Sequence, residues 1–509
     1  MVIMAHGGGI YGTPLWALSN YVTGIMILLA RHCLRVVWRC MVVVKVVYHG
    51  QVGGGGFPER VVQKGGWNMV HGWWLYNKKA VGTFMTVVQY IICREMRRAL
   101  MIVDHFPPSF APRMGYLAKY MKELGWDGRV YAVAHSRDTA KFDTLTGYIA
   151  AEEVPMPVYS RRHSINRLAT EVLGRLCGGR GWSMNDERMY HHIMNSIDGR
   201  YDVVLCSTAS FFPLLCAQRV ARRLGLPLVL DFRDIYEQDP YMYPAEGLAG
   251  ALRKRQIKLR NNAIGRADAV VSVSEWHRKH LGQYNSNSYL IYNGYDSDTF
   301  VHTPPQPTRQ FTISYTGSVA PTNCEGSRNP EVLFEAISRL AGKGIGPEQL
   351  RLRFYTDDAS RLYLGKVGTK YNINEYLDIN AWVPLHEVPQ ILEQSNALLV
   401  LVAAANTHGI MTTKVFEYLA AERPIICVPD SRCPVAQLIE QAGAGAAFDS
   451  ADSLCQYLEH IYNEWATTGV VKCDSKREYI QQFSRRQEAA EFTKILDAVV
   501  EKKLPERGV

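Results

Sequence analysis

From His408 to Pro424 the chain reads His-Gly-Ile-Met-Thr-Thr-Lys-Val-Phe-Glu-Tyr-Leu-Ala-Ala-Glu-Arg-Pro, and it runs directly into the apolar stretch Ile425-Ile-Cys-Val428. Val415, Phe416, Tyr418 and Leu419 have helical spacing, which places Thr412, Thr413 and Lys414 at a helix N-terminus. Backbone N–H groups that lack partners within the helix, together with the helix dipole and a lysine, attract a phosphate at such an end. Glu417 lies about one turn beyond Lys414, so its carboxylate can take a hydroxyl while the lysine takes the phosphate. A ligand joining a phosphate to a sugar hydroxyl suits that pair. A plain amphipathic helix after a surface loop has the same spacing.

Other groups stand at the ends of apolar runs. Tyr315-Thr-Gly-Ser318 ends one such run, and Gly317 permits close backbone approach to a phosphate, as it also permits a simple turn. Arg328 could offer a fork of donors to a diphosphate; taken alone it is an exposed arginine. Asp104-His-Phe-Pro-Pro-Ser-Phe-Ala-Pro-Arg113 is a stiff loop, with Pro108 shaping it and Arg113 opening a helix. It is either a ligand-facing loop or a structural proline turn. Asp231-Phe-Arg-Asp234 gathers Asp231, Arg233 and Asp234 at the end of the apolar run Leu226–Leu230. Such charges must face a cleft or pair internally. The basic run Arg253–Arg260 suits a solvated helix face and also an anionic membrane surface. His135, His277 and His280 read as ordinary surface or core histidines.

These residues need a scaffold that brings strand ends together. Strands are predicted at Leu100–Val103, Val130–Ala134, Tyr201–Cys206, Leu228–Leu230, Ala269–Val273 and Tyr289–Tyr292, with helices at Tyr116–Leu124 and Leu214–Leu224. After the proline-rich linker His302–Thr308, strands are predicted at Phe311–Tyr315, Leu350–Tyr355, Ala397–Val402 and Ile425–Val428. Helices are predicted there at Pro330–Leu340, Val388–Gln394, Val435–Ala442, Ala451–Trp465 and Arg485–Glu501. Alternation of this kind predicts α/β architecture, with two doubly wound Rossmann-like domains that take ligands at the carboxyl ends of their strands. The expected division is 96–300, 301–480 and a C-terminal helix, 481–509, packing across the junction.

Residues 1–95 differ from the rest. They hold five of the ten tryptophans, glycine runs and no aspartate, and nine lysines and arginines against two glutamates. Most of the net charge of +9 therefore sits in this irregular extension. Without a zinc-finger or RNA-recognition signature, nucleic acid is not an expected partner. The apolar runs Pro14–Ala30 and Ala80–Cys93 are shorter than the roughly 20 residues of a membrane helix, so the extension reads either as weakly membrane-associated or as not native to the protein. The globular pattern begins at Met96, the expected natural start. Eleven scattered cysteines without metal-type spacing point to a reducing cytoplasm and to neither a disulfide framework nor a structural metal. Motifs for serine hydrolases, zincins and P-loop enzymes are absent.

Taken in order, several segments together resemble the two-domain glycosyltransferases of the GT-B fold, in particular the retaining family-four type that builds bacterial surface polysaccharides. They are His105-Phe-Pro-Pro with Arg113, Asp231–Asp234, Ala267–Ser274, Tyr315–Ser318, Arg328, and Thr413–Ala420 with Pro424. The resemblance implies an interdomain cleft with a nucleotide-sugar donor in the second domain. Thr412, Thr413 and Lys414 would hold phosphate, Glu417 the ribose hydroxyls, and Gly317, Ser318 and Arg328 the rest of the diphosphate. Pro108, Arg113, Asp231 and Arg233 would face the acceptor, a lipid-linked or growing glycan. Arg328 and Lys414 would stabilise the leaving group, with Asp234 as a further catalytic candidate. No cofactor or metal is implied. A cytoplasmic protein at the inner face of the membrane, handling capsule or lipopolysaccharide precursors, is the matching setting. The pattern is broken at Gly409, eight residues before Glu417, where many relatives carry a glutamate. A nucleotide-sugar 2-epimerase of the same architecture, or a non-catalytic polysaccharide-assembly protein, are the alternative readings.

Overall fold

The computed structural model describes residues 96–108, 112–134, 142–156, 172–209, 211–238, 246–319, 328–402 and 408–503. The extension 1–95, its apolar runs and His135 lie outside them. Both sheets lie in one compact unit that begins at Met96.

The first sheet comprises β1 (Arg97–Val103), β2 (Trp126–Val133), β3 (Ala150–Val154), β4 (Val203–Thr208), β5 (Leu228–Phe232), β6 (Ala269–Ser272) and β7 (Ser288–Leu290). Its order is β3-β2-β1-β4-β5-β6-β7, with every pairing parallel. The middles of β1, β4 and β5 are apolar and buried because helices cover both faces of a parallel sheet, while Ser207, Thr208 and Asp231 are buried polar residues toward the carboxyl ends of β4 and β5. Among those helices are α1 (Arg113–Met121), α2 (Leu214–Leu224), α3 (Gly247–Ile264) and α4 (Glu275–Gly282).

After the irregular stretch 301–308 the alternation restarts. The second sheet comprises β8 (Phe311–Thr316), β9 (Leu350–Tyr355), β10 (Leu377–Asn380), β11 (Ala397–Leu401), β12 (Ile425–Val428) and β13 (Gly445–Ala447). Its order is β10-β9-β8-β11-β12-β13, again all parallel. Helix α5 (Lys414–Ala421) connects β11 to β12. In each sheet the order reverses once, between β1 and β4 and between β8 and β11. A ligand crevice opens at the carboxyl end of such a switch point.

The chain then returns to the first half. Tyr295 and Ser484 form a parallel bridge, with Tyr295 N–H donating to Phe483 C=O (3.0 Å) and Arg485 N–H to Tyr295 C=O (2.8 Å). The last helix, α6 (Arg485–Lys503), places Ala489, Phe492, Leu496 and Val500 in one core with Met101, Leu117 and Trp126. It therefore completes the first half's hydrophobic layer, and Trp126 Nε1 donates to Asp497 (3.1 Å) at its edge. No helix among the described residues is long and apolar enough to cross a membrane.

Candidate functional site

At the β8/β11 switch point, Thr316 ends β8 and its N–H donates to the Tyr418 hydroxyl (3.0 Å). Because Tyr418 is a buried residue of α5, this bond fixes the helix beside the strand end. Gly317 follows with φ 142°, and a Cβ at that position would overlap Lys414 Cε and Nζ. Glycine is needed there twice, for its backbone angle and for the room it leaves the ammonium. Its own N–H is committed to Tyr355 C=O (2.9 Å), so Gly317 contributes space rather than a donor.

Lys414 opens α5, with Nζ 5.8 Å from the centre of the Tyr315 ring. Thr413, the preceding N-cap residue, is itself helical in backbone (φ −62°, ψ −29°) and makes no side-chain capping bond. The first-turn amides thus keep the anion-binding character expected of a helix start. Thr413 is exposed and Thr412 half-buried. Ser318 C=O accepts from the Tyr315 hydroxyl (2.8 Å) and from Arg328 Nη1 (3.3 Å), which brings the exposed Arg328, at φ 57°, to the same strand end. The Asp357 carboxyl nearby is desolvated, yet hydrogen bonds from Ser318 and Ser360 hold its pKa below the ordinary value.

Glu417 is half-buried one turn along α5 and accepts no hydrogen bond from the described residues. Burial pushes its pKa up to about 7, against the pull of Lys414 and Arg485. An unpaired carboxyl of this kind gains from any hydroxyl that donates to it. Arg485 is buried, stacks 4.8 Å over Tyr116, donates to Glu488 (2.6 Å) and leaves Nε without a partner.

The facing loops of the first half are arranged differently from the expectation. Arg113 and Asp231 are turned to each other: they are 2% and 0% exposed and 3.2 Å apart. Arg113 also donates to Glu488 (2.8 Å), Ile291 C=O (2.9 Å) and Tyr292 C=O (3.1 Å), and Ser207 donates to Asp231 (2.7 Å). Desolvation opposes the charge on Arg113, but Asp231 and Glu488 hold its pKa above the ordinary value. A buried cation whose donors are met in this way ties α1, β5 and α6 together. Neither group presents its charge to the crevice.

Pro108 is half-buried in the loop after β1. Arg233 is paired with Asp104, whose second oxygen accepts from Ala209 N–H (2.9 Å), while Arg233 Nε is buried without a partner. Asp234 accepts from Gln238 Nε2 (2.7 Å), and burial pushes its pKa up. Within the basic run, Lys254 and Lys258 are exposed but Arg260 is buried against Glu237 (2.6 Å). The Glu237 carboxyl is desolvated but pulled down to about 2 by His280 and Arg260. Among the described residues no group of three or more His, Cys, Asp or Glu is placed to hold a metal ion.

The structure gives a packing reason for Gly409 and an unexpected setting for His277. Gly409 has φ 64°, and a Cβ there would lie 2.7 Å from Ser274 Oγ and 3.0 Å from Trp276 Cβ, so the first half occupies the space a glutamate would need. His277, read as ordinary, is buried with neither ring nitrogen partnered. Desolvation lowers its pKa to about 4.

A family model described as Glycosyltransferase Family 4 matches residues 113–299. No curated protein matches the chain. Among solved structures, HepE from Anabaena in complex with UDP is similar at 12% identity and a TM-score of 0.56, over 79% of this chain and 100% of that one. Sucrose-phosphate synthase from Thermosynechococcus elongatus is similar at 12% identity and a TM-score of 0.57, over 80% and 100%. The lipopolysaccharide outer core galactosyltransferase WaaB is similar at 11% identity and a TM-score of 0.50, over 79% and 99%. The chain thus has the two-sheet GT-B fold of these proteins, and its first half matches the Glycosyltransferase Family 4 model.

Proposed function

We propose that this chain is a glycosyltransferase that binds a nucleotide sugar at the β8/β11 crevice and passes the sugar to a lipid-linked or glycan acceptor held by the first half. The grouping of Gly317, Lys414 and Glu417 carries the reading: a side-chain-free strand end, a cation at a helix start, and an unpaired carboxyl one turn on. HepE has been solved with UDP and with UDP-glucose, and that favours a UDP-sugar donor here.

In this reading the α5 amides, Thr412, Thr413 and Lys414 take the diphosphate, Ser318 and Arg328 close over it, and Glu417 accepts from ribose. The acceptor hydroxyl oxygen bonds to the sugar's anomeric carbon on the face from which the diphosphate oxygen leaves, so configuration is retained. The departing oxygen takes the acceptor proton, and Lys414 and Arg328 offset the charge that develops on it. Asp234, at the carboxyl end of β5, is the acceptor-side carboxyl offered to that hydroxyl. Lys254 and Lys258 are the exposed cations available to an anionic lipid surface at the inner membrane face. Calorimetric titration of the full chain with UDP- and GDP-sugars tests the donor site. Saturable binding of one series is expected, and no binding of any would overturn the reading.

A further inference from the structure

Two histidine rings stack on the ring of Trp276. His280, one turn along α4, does so at 5.1 Å and 12°. His408, from the second half, does so at 5.2 Å and 18°. His408 N–H also donates to Gln238 C=O (2.7 Å), in the turn that follows β5. Next to it, Gly409 lets the backbone come within a distance of Ser274 and Trp276 that no side chain would allow. The first half therefore grips this loop of the second half by a stack, a hydrogen bond and a glycine contact.

The gripped residues lead straight into Thr412, Thr413 and Lys414. A loop left free would have to be ordered when the diphosphate arrives, at an entropic cost set against donor affinity. Fixing it beforehand removes that cost. We propose that Trp276 is a positioning residue that clamps the loop feeding the phosphate-binding end of α5, so that the donor site is complete only when the first half holds it. The proposal rests on the donor reading above.

Peptide-level hydrogen exchange on the full chain, compared for wild type, Trp276→Ala and Trp276→Phe, reads the clamp without any donor. Trp276→Ala should speed exchange across 408–413 while leaving the β8–β9 core protected. It should also raise the donor KM about tenfold with a smaller change in kcat, and Trp276→Phe, which keeps a flat stacking ring, should recover most of both. Unchanged exchange in Trp276→Ala would overturn the clamp whatever the donor does. Faster exchange with unaltered donor KM would overturn the positioning role while leaving the donor reading intact. If the wild type bound no nucleotide sugar, the donor reading would fall and the positioning role with it.

Discussion

Replacing Glu417 by glutamine removes a carboxyl that burial holds at a pKa of about 7. Its displacement from the ordinary value of 4.5 corresponds to about 3 kcal/mol at 1.36 kcal/mol per unit, and partial exposure discounts this to about 1–2 kcal/mol. Below pH 4.5 the group is neutral in folded and unfolded protein alike, and it costs nothing. As the pH rises toward 7 the unfolded chain ionises freely while the folded chain resists, so stability is lost across that window. Glu417→Gln should therefore stabilise the protein at pH 8 and leave it unchanged at pH 4.5. Donor binding should move the other way. A ribose hydroxyl donating to Glu417 favours the carboxylate, so binding releases a proton near neutrality. Affinity for a nucleotide sugar, whose own diphosphate does not titrate in this range, should rise about tenfold between pH 6 and pH 8. Calorimetry in buffers of different ionisation enthalpy measures the released proton. A flat affinity profile, or a proton count at pH 7 that Glu417→Gln leaves unaltered, would refute the assignment of Glu417 to the donor.

Arg113→Met should destabilise the chain by about 3–5 kcal/mol in urea titration, because it leaves the buried Asp231 and Glu488 without their shared cation. Gly317→Ala should weaken donor binding by about tenfold or more, since the new methyl displaces the Lys414 ammonium, and should also cost about 1–3 kcal/mol of folding stability in urea titration, because φ 142° strains any residue but glycine. His277, held near pKa 4 by desolvation, resists protonation when folded but takes a proton below about 6.5 when unfolded. Stability should therefore fall by about 3 kcal/mol between pH 6.5 and pH 4, and His277→Phe should flatten that slope in thermal melts at successive pH values.

The pattern was most legible where apolar residues recur with a regular period: Leu350–Tyr355, whose buried residues alternate with Arg351 and Arg353, and the apolar run Ile425–Val428 form as predicted, and so does the helix Leu214–Leu224. The unpredicted strands are edge or near-edge ones. β3 carries two glutamates and is mostly exposed, and β13 is Gly-Ala-Ala, so only the neighbouring strand makes either one a strand. The helix Met184–Ser196 is likewise absent from the expected elements, although Ser183 and Asp186 form a capping box at its start. That Lys414 and Glu417 share the first turn of a helix was readable, because local spacing alone relates them. Arg113 and Asp231 were not, because their pairing joins residues far apart in the chain and turns two apparent ligand groups into a buried tie. The same limit hid the stack of His408 on Trp276, which exists only once the two halves meet.

Turnover of a nucleotide sugar is measured by acceptor-dependent release of free nucleotide from the full chain. Incubation with UDP- and GDP-sugars and lipid-linked glycan acceptors should release nucleotide from one donor series, with a matching rise in glycosylated acceptor and loss of both signals in Lys414→Met. Donor binding with no nucleotide released from any acceptor offered, or release that persists undiminished in Lys414→Met, would contradict it.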